Sequence, residues 1–311
     1  MELFMLYAIT ASLFFSIFTF IAKYVISRKM SSFISFVYMQ GILIVVLFPV
    51  MTYLLVPSEI FLPPAEVIPY AYVSGVTSII AYLLMYYGLS RYDASLAVPV
   101  LGVKPVFVIP LSFFLLNEFY GYDTVLWILV AMVGAIMTTW DETVGIRRLF
   151  SLKNKALLIF SASALLYAAG NIAVKPAMRL VSSFNFLIWR ELGWFGTLLV
   201  LSPVLFREGD WECLKGEWRR ALVVVLLAII AQYFAYVLMF YSLGFSVQIS
   251  EGLSGSQGIF AAAMGFLLSK TRSLMALERH GNRIYLVRML GALMIMFGIY
   301  NLSYSFDQTV S

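Results

Sequence analysis

The sequence is poor in charge, in cysteine and in histidine, and each shortage removes a class of protein. Only 12% of the 311 residues are Asp, Glu, Lys or Arg, whereas 62% are hydrophobic. A soluble globule carries about 25% charged and about 45–50% apolar residues, so this chain has too little polar surface to cover one, while lipid would accept nearly all of it. One cysteine, Cys213, cannot close an internal disulfide, and one histidine, His280, cannot build a Cys/His metal cluster. No Walker motif is present, so nothing points to direct ATP hydrolysis, and no cofactor or metal is expected. A net charge of +5 would hint at nucleic acid in a soluble protein. Beside apolar helices it is a topology signal instead, and nucleic acid is not expected as a partner. The opening Met-Glu-Leu-Phe lacks a basic n-region and reads as the start of a retained first helix.

What remains is a series of apolar runs long enough to cross roughly 30 Å of hydrocarbon at about 1.5 Å per residue. Ten are marked off by polar or Pro/Gly breaks: Leu3 to Ile26, Ser32 to Leu55, Val67 to Leu89, Ala94 to Leu116, Tyr122 to Trp140, Ala156 to Met178, Phe184 to Phe206, Arg219 to Leu243, Ser246 to Leu268 and Ile284 to Ser303. Connections as short as Ser90-Arg91-Tyr92-Asp93 make consecutive helices antiparallel neighbours and leave no room for extramembrane domains. Any chemistry must lie between the helices.

A charged stretch from Asp141 to Lys155 divides the chain, and the two sides resemble each other at an offset of about 150 residues. Ala81-Tyr-Leu-Leu-Met-Tyr-Tyr-Gly-Leu-Ser90 matches Ala235-Tyr-Val-Leu-Met-Phe-Tyr-Ser-Leu-Gly244. Gly102, Phe107, Phe113 and Leu115 meet Gly255, Phe260, Phe266 and Leu268, and Lys23 with Ser31-Ser32-Phe33 is echoed by Lys175 with Ser182-Ser183-Phe184. The expected fold is therefore an all-α polytopic membrane protein, with ten transmembrane helices in two five-helix repeats, residues 1–145 and 146–311, that form one transport domain together. An odd number of spans per repeat inverts the second relative to the first, and in such proteins the substrate site usually lies near the midplane between the repeats.

The run Ala94-Ser-Leu-Ala-Val-Pro-Val-Leu-Gly-Val-Lys-Pro105 leading to Phe113-Phe-Leu-Leu-Asn-Glu118, with Gly134 and Gly291 in the fifth and tenth helices, resembles the drug/metabolite transporter superfamily, EamA-type branch. Asn117-Glu118 stands where that family often has Gly-Glu. Trp189-Arg190 looks like the family's arginine in the second helix of a repeat, where the first repeat has Gln40. The second repeat departs from the pattern, with Gly258 and Thr271 near the places of the Pro and Glu. The resemblance implies a ten-helix secondary transporter of small metabolites, without saying which metabolite.

Depth separates the polar candidates, because a charge at the bilayer centre costs about 2.5–3.5 kcal/mol on insertion scales. Lys23 and Lys175 lie at the far ends of their helices and read as snorkelling lysines. Lys104 sits near the middle of its span among Pro99, Gly102, Pro105 and Pro110, and is expected to line a cavity or bind substrate; Gln257 is its counterpart in the second repeat. Gln248, Glu251, Ser254/Gly255, Gly258 and Ala262 fall on one face of a continuous ninth helix, a candidate pocket wall. Glu251, if buried, is a candidate proton carrier, since burial penalises its ionised form; an interfacial carboxylate is the competing reading. Ser78, Tyr82, Tyr86 and Gln232, Tyr236, Phe240 repeat at i, i+4, i+8 as matched faces. Arg190 is balanced between a substrate role and an interhelical tie, and its neighbour Glu191 projects about 100° away and need not pair with it. Ala131 with Ala135, and Gly291 with Gly298, are a candidate homodimer face.

The expected function is secondary active transport of a small polar, anionic or zwitterionic metabolite by alternating access, through a cavity formed by helices one, three, four, six, eight and nine of the ten. Substrate-binding candidates are Lys104, Gln257, Glu251, Tyr82, Tyr86, Gln232, Tyr236 and Arg190. An intramembrane enzyme would need a catalytic constellation that is not visible; a non-transporting scaffold or lipid-binding protein is the alternative. Loops after helices one, three, five, seven and nine gather 17 of the 21 lysines and arginines, so the positive-inside rule puts both termini outside the cell membrane, against the family resemblance, which suggests both inside.

Overall fold

The computed structural model describes residues 3–92, 97, 100–101, 104–116, 122–138, 155–245, 247–269 and 282–310. Among these the chain is helical throughout: α1 (Leu3–Arg28), α2 (Phe33–Leu55), α3 (Val67–Leu89), α4 (Lys104–Leu116), α5 (Tyr122–Thr138), α6 (Lys155–Ala177), α7 (Ser183–Leu205), α8 (Glu208–Phe245), α9 (Val247–Ser254), α10 (Gln257–Ser269) and α11 (Asn282–Val310), with one 3₁₀ turn at Pro57–Glu59. Five of them, α1, α2, α3, α6 and α8, are long and apolar enough to cross a membrane. Pro99, Gly102, Asn117, Glu118, Thr271, His280 and residues 141–154 lie outside the described residues, as do the side chains of Pro105, Ala135 and Gln248.

Local chemistry explains the repeated Ser-Ser-Phe. Ser32 caps α2 and Ser182 caps α7, each hydroxyl accepting the amide N–H three residues on, from Ser35 and Asn185. Such caps satisfy amides that the first helical turn leaves without partners. Two elements differ from the sequence expectation. The eighth helix begins at Glu208 rather than near Arg219, and its polar first turns dock on the α1–α2 connection. The ninth helix is not continuous: it breaks at Gly255–Ser256 into α9 and α10. Ser254 Oγ donates to the Glu251 carbonyl at 2.7 Å and Ser256 Oγ to the Leu253 carbonyl at 2.7 Å. These side chains occupy carbonyls at the end of α9 beside a glycine, which lets the helix end there. The proposed single face running from Gln248 to Ala262 is therefore split.

The strongest helix contacts join the two halves of the chain: α1 with α8, α3 with α6 and α7, α2 with α7 and α8, and α5 with α11. Small residues set the closest of these. A methyl group added at Gly134 would stand 2.5 Å from the Gly291 carbonyl oxygen, one at Gly291 would stand 2.6 Å from that of Gly134, and Gly298 packs on Trp127 and Ala131. Close backbone approach at small residues drives helix association where lipid supplies no hydrophobic incentive. Ala131, Gly291 and Gly298, expected on a homodimer face, thus pack α5 on α11 within the chain. The outer surface is apolar, with Leu54, Phe114, Val200 and Val204 exposed, as contact with lipid requires.

Candidate functional site

The ends of the first and sixth helices separate the two matched lysines from the centre. Lys23 does not snorkel: it is buried, and its Nζ donates to the carbonyls of Leu89 at 2.7 Å and Tyr92 at 2.8 Å. An ammonium there satisfies carbonyls that the end of α3 leaves open and faces the negative pole of that helix.

Toward the middle of the bundle, α1, α3, α4, α6, α8 and α10, with Leu101, line a cleft. Its walls are aromatic, from Phe15, Phe18, Tyr82, Tyr167, Tyr236 and Phe240, and its polar groups are Thr19, Lys104, Asn171 and Gln257. A mostly apolar cleft with a few converging polar groups is the usual form of a small-molecule site.

Lys104 and Glu251 meet at this cleft. Lys104 Nζ lies 3.4 Å from Glu251 Oε2, with side-chain exposures of 9% and 0%. Glu251 is thus buried rather than interfacial, and its carboxylate also accepts hydrogen bonds from Asn171 Nδ2 and from Ser254 Oγ, the latter at 3.1 Å. Lys104 Nζ stands 5.9 Å from the centre of the Phe15 ring. Gln257, at the start of α10, lines the same cleft, and its backbone carbonyl accepts the Ser16 hydroxyl at 3.1 Å. The break between α9 and α10 therefore sits beside the ion pair, where polar backbone is accommodated by lining a cavity.

Behind the aromatic wall runs a buried hydrogen-bonded chain. Tyr86 OH donates to Gln40 Oε1 at 2.7 Å, Gln40 Nε2 to Gln232 Oε1 at 2.7 Å and Gln232 Nε2 to Tyr82 OH at 2.9 Å; the Tyr82 and Tyr236 hydroxyls are 2.9 Å apart. Arg190 closes the chain, with Nη2 donating to Tyr236 OH at 3.3 Å and to Ser78 Oγ, and Nε to Ser74 Oγ at 3.2 Å. Of these residues, Tyr82 and Tyr236 line the cleft. Tyr86, Gln232 and Arg190 do not; they hold the wall from behind.

Arg190 is fully buried and its guanidinium stands 4.3 Å from the centre of the Tyr236 ring. Contrary to the expectation from their 100° separation on α7, Arg190 and Glu191 form an ion pair. Long side chains can bend toward one another when every other direction is occupied, and an unpaired buried guanidinium would cost more than the bent rotamers. Arg190 thereby ties α7 to α3 and α8. Thr19, Tyr167 and Asn171 in the cleft and Gln40 behind it are missing from the expected list; Gln40 stands 150 positions before Arg190, at the matching place in the first half. Its signal was available in the sequence, as a lone amide deep in an apolar helix.

Three comparisons bear on this geometry. One solved crystal structure shares the fold over 99% of this chain and 98% of its own, with a TM-score of 0.60 at 12% sequence identity. An uncharacterized protein of Methanocaldococcus jannaschii is 29% identical over 80 residues, and the chain spans 58% of that relative's length. Residues 3–140 match the EamA-like transporter family, in line with the resemblance to the drug/metabolite transporter superfamily that the sequence motifs carry.

Proposed function

We propose that the protein is a secondary transporter that carries a small polar metabolite, anionic or zwitterionic, across the cell membrane by alternating access. The observation that carries this reading is the cleft, which is walled by helices of both halves, carries Lys104 in its wall and has the buried Glu251 carboxylate 3.4 Å behind that lysine. A carboxylate or phosphate of a substrate would compete with Glu251 for Lys104, and an ammonium group would compete with Lys104 for Glu251. Exchange of partners at such a pair links occupancy to conformation, because ligand and protein group cannot hold the same partner at once.

In this reading the chain consists of two inverted five-helix repeats, 1–145 and 146–311, with ten crossings, the broken α9–α10 counting as one. Repeat-related residues support it. Tyr82 and Tyr236, 154 positions apart, meet hydroxyl to hydroxyl. The bond from Gln40 to Gln232 has its counterpart in the bond from Arg190 to Ser78, with the halves exchanged. The contacts α1 with α8 and α6 with α3 are likewise exchanged counterparts. A two-fold axis in the membrane plane passing between the two tyrosines would relate them all. The excess of lysine and arginine in the odd-numbered loops supports termini outside the cell.

Flux into proteoliposomes tests the proposal directly. Labelled amino acids, organic acids and sugar phosphates are offered in turn, and saturable uptake of one class, absent from empty vesicles, is the expected result. A folded, reconstituted protein that moves none of them would instead favour a non-transporting membrane scaffold.

A further inference from the structure

Two hydrogen-bonded clusters outside the cleft join the halves of the chain, and they are built alike. At the N-terminus of α2, Asp210 accepts the Ser32 hydroxyl, the Ser35 hydroxyl donates to the Asp210 carbonyl at 2.6 Å, and Glu217 Oε2 accepts the Ser31 amide at 2.8 Å. At the N-terminus of α7, Glu59 Oε2 accepts the Ser182 hydroxyl, and Asn185 Nδ2 donates to the carbonyls of Glu59 and Phe61 at 2.9 Å each. Ser32 and Ser182 are 150 positions apart, Ser35 and Asn185 also 150, and Glu59 and Asp210 151. Each cluster therefore joins a capping serine of one half to a carboxylate of the other, with the halves exchanged.

We propose that these clusters are two latches that close the opposite ends of the transport path in alternation. The inference rests on the alternating-access reading above. If α1 to α7 each cross once, α2 and α7 run in opposite directions and their N-termini lie at opposite membrane faces. The bonds of each cluster run between halves that must separate for that end to open. They are polar, near the ends of the helices and replaceable by water, so they can break without burying an unsatisfied group. The aromatic and amide network at the centre has no such substitute, so the centre holds and the ends part.

The chain carries its own reporter. Cys213, the single cysteine, is buried in the first latch, where its Sγ accepts the Ser31 hydroxyl at 3.2 Å and donates to Glu217 Oε2 at 2.8 Å. Opening of that end would expose it. The experiment is the rate of alkylation of Cys213 by N-ethylmaleimide in protein held in lipid nanodiscs, where both faces meet the reagent and no substrate is needed. Asp210→Ala weakens the near latch by removing its bond to Ser32, without removing a group bonded to the thiol, and should speed alkylation about fivefold, the factor by which one lost hydrogen bond moves a two-state equilibrium. Adding Glu59→Ala, which removes the Ser182 bond of the far latch, should slow alkylation again by a similar factor, because the state open at the Cys213 end is then held less firmly closed at its other end. Ser182→Ala repeats the far arm on a different residue, and full labelling in detergent denaturant verifies one available thiol per chain. A far-latch variant that leaves the Asp210→Ala rate unchanged would reduce the clusters to independent packing contacts. Wild-type reactivity in Asp210→Ala would do the same for the near one. Neither outcome touches the transport reading, which stands or falls on flux.

Discussion

Replacing Lys104 by glutamine separates a transport role from a structural one, because the two make opposite predictions when Glu251 is changed as well. The lysine lies 3.4 Å from Glu251 in a site where the carboxylate is completely buried. Removing one partner of a buried pair typically costs about 3–5 kcal/mol of stability. Here the cost should fall at or below the lower end, since Asn171 and Ser254 still donate to the carboxylate. Lys104→Gln should therefore lower the melting temperature, and Lys104→Gln/Glu251→Gln should recover most of that loss. Substrate binding should behave otherwise. Losing a charge-assisted hydrogen bond costs about 1.5–3 kcal/mol, or roughly ten- to hundredfold in affinity at about 1.4 kcal/mol per decade, and the second substitution brings back no cation for an anionic group. The assay is a pair of measurements on the same four proteins: thermal melts in detergent, and uptake by proteoliposomes of the substrate found in the flux screen. Full affinity in a well-folded Lys104→Gln variant, or recovery of affinity together with stability in the double variant, would refute a substrate contact and leave the lysine as the partner of Glu251 alone.

Glu251→Gln should abolish accumulation driven by a pH gradient while exchange of substrate at equal pH continues; unchanged gradient-driven uptake would retire Glu251 as a proton carrier. Arg190→Gln should destabilise the protein by about 3–5 kcal/mol, because Glu191 is left buried without its partner, and Arg190→Gln/Glu191→Gln should melt higher than the single variant. An unchanged melt with collapsed substrate affinity would mean that Arg190 reaches the substrate after all. Gly291→Val should lower the yield of folded protein more than Gly298→Ala, since a Cβ at 291 meets the Gly134 backbone at 2.6 Å; equal melts for both would contradict the tight α5–α11 contact. Orientation is best read with an introduced thiol, because burial alone would shield Cys213 on either side of the membrane. In a Cys213→Ser background, Glu212→Cys should resist an impermeant maleimide added to intact cells and Ser305→Cys should react, and the reverse pattern would place both termini inside.

The features that the sequence determined by itself are those written locally or by periodicity. Apolar runs declare the membrane helices, because lipid leaves the backbone no alternative to internal hydrogen bonding. Ser32 and Ser182 cap their helices through contacts only three residues away, and counting along the apolar runs was enough to single out Lys104 and Gln257, both of which line the cleft. What the sequence left open were the choices among partners. A small-residue pattern says that a helix will be approached closely but not by which neighbour, so Ala131, Gly291 and Gly298 could be read as a dimer face as well as an internal contact. Arg190 and Glu191 pair because the space around them is filled by Ser74, Ser78 and Tyr236, residues remote in sequence, and no helical wheel contains that information. The same is true of Lys23, whose acceptors lie at the end of another helix, and of Lys104, which meets Glu251 only when α4 and α9 are brought together. The break at Gly255–Ser256 carries no proline to announce it; it is tolerated because the cleft and the Ser16 hydroxyl receive the polar backbone that the break brings there. Tertiary structure decided these points because at membrane depth a polar group must find its partner within the protein, and the partner is supplied by whichever helix the packing puts beside it.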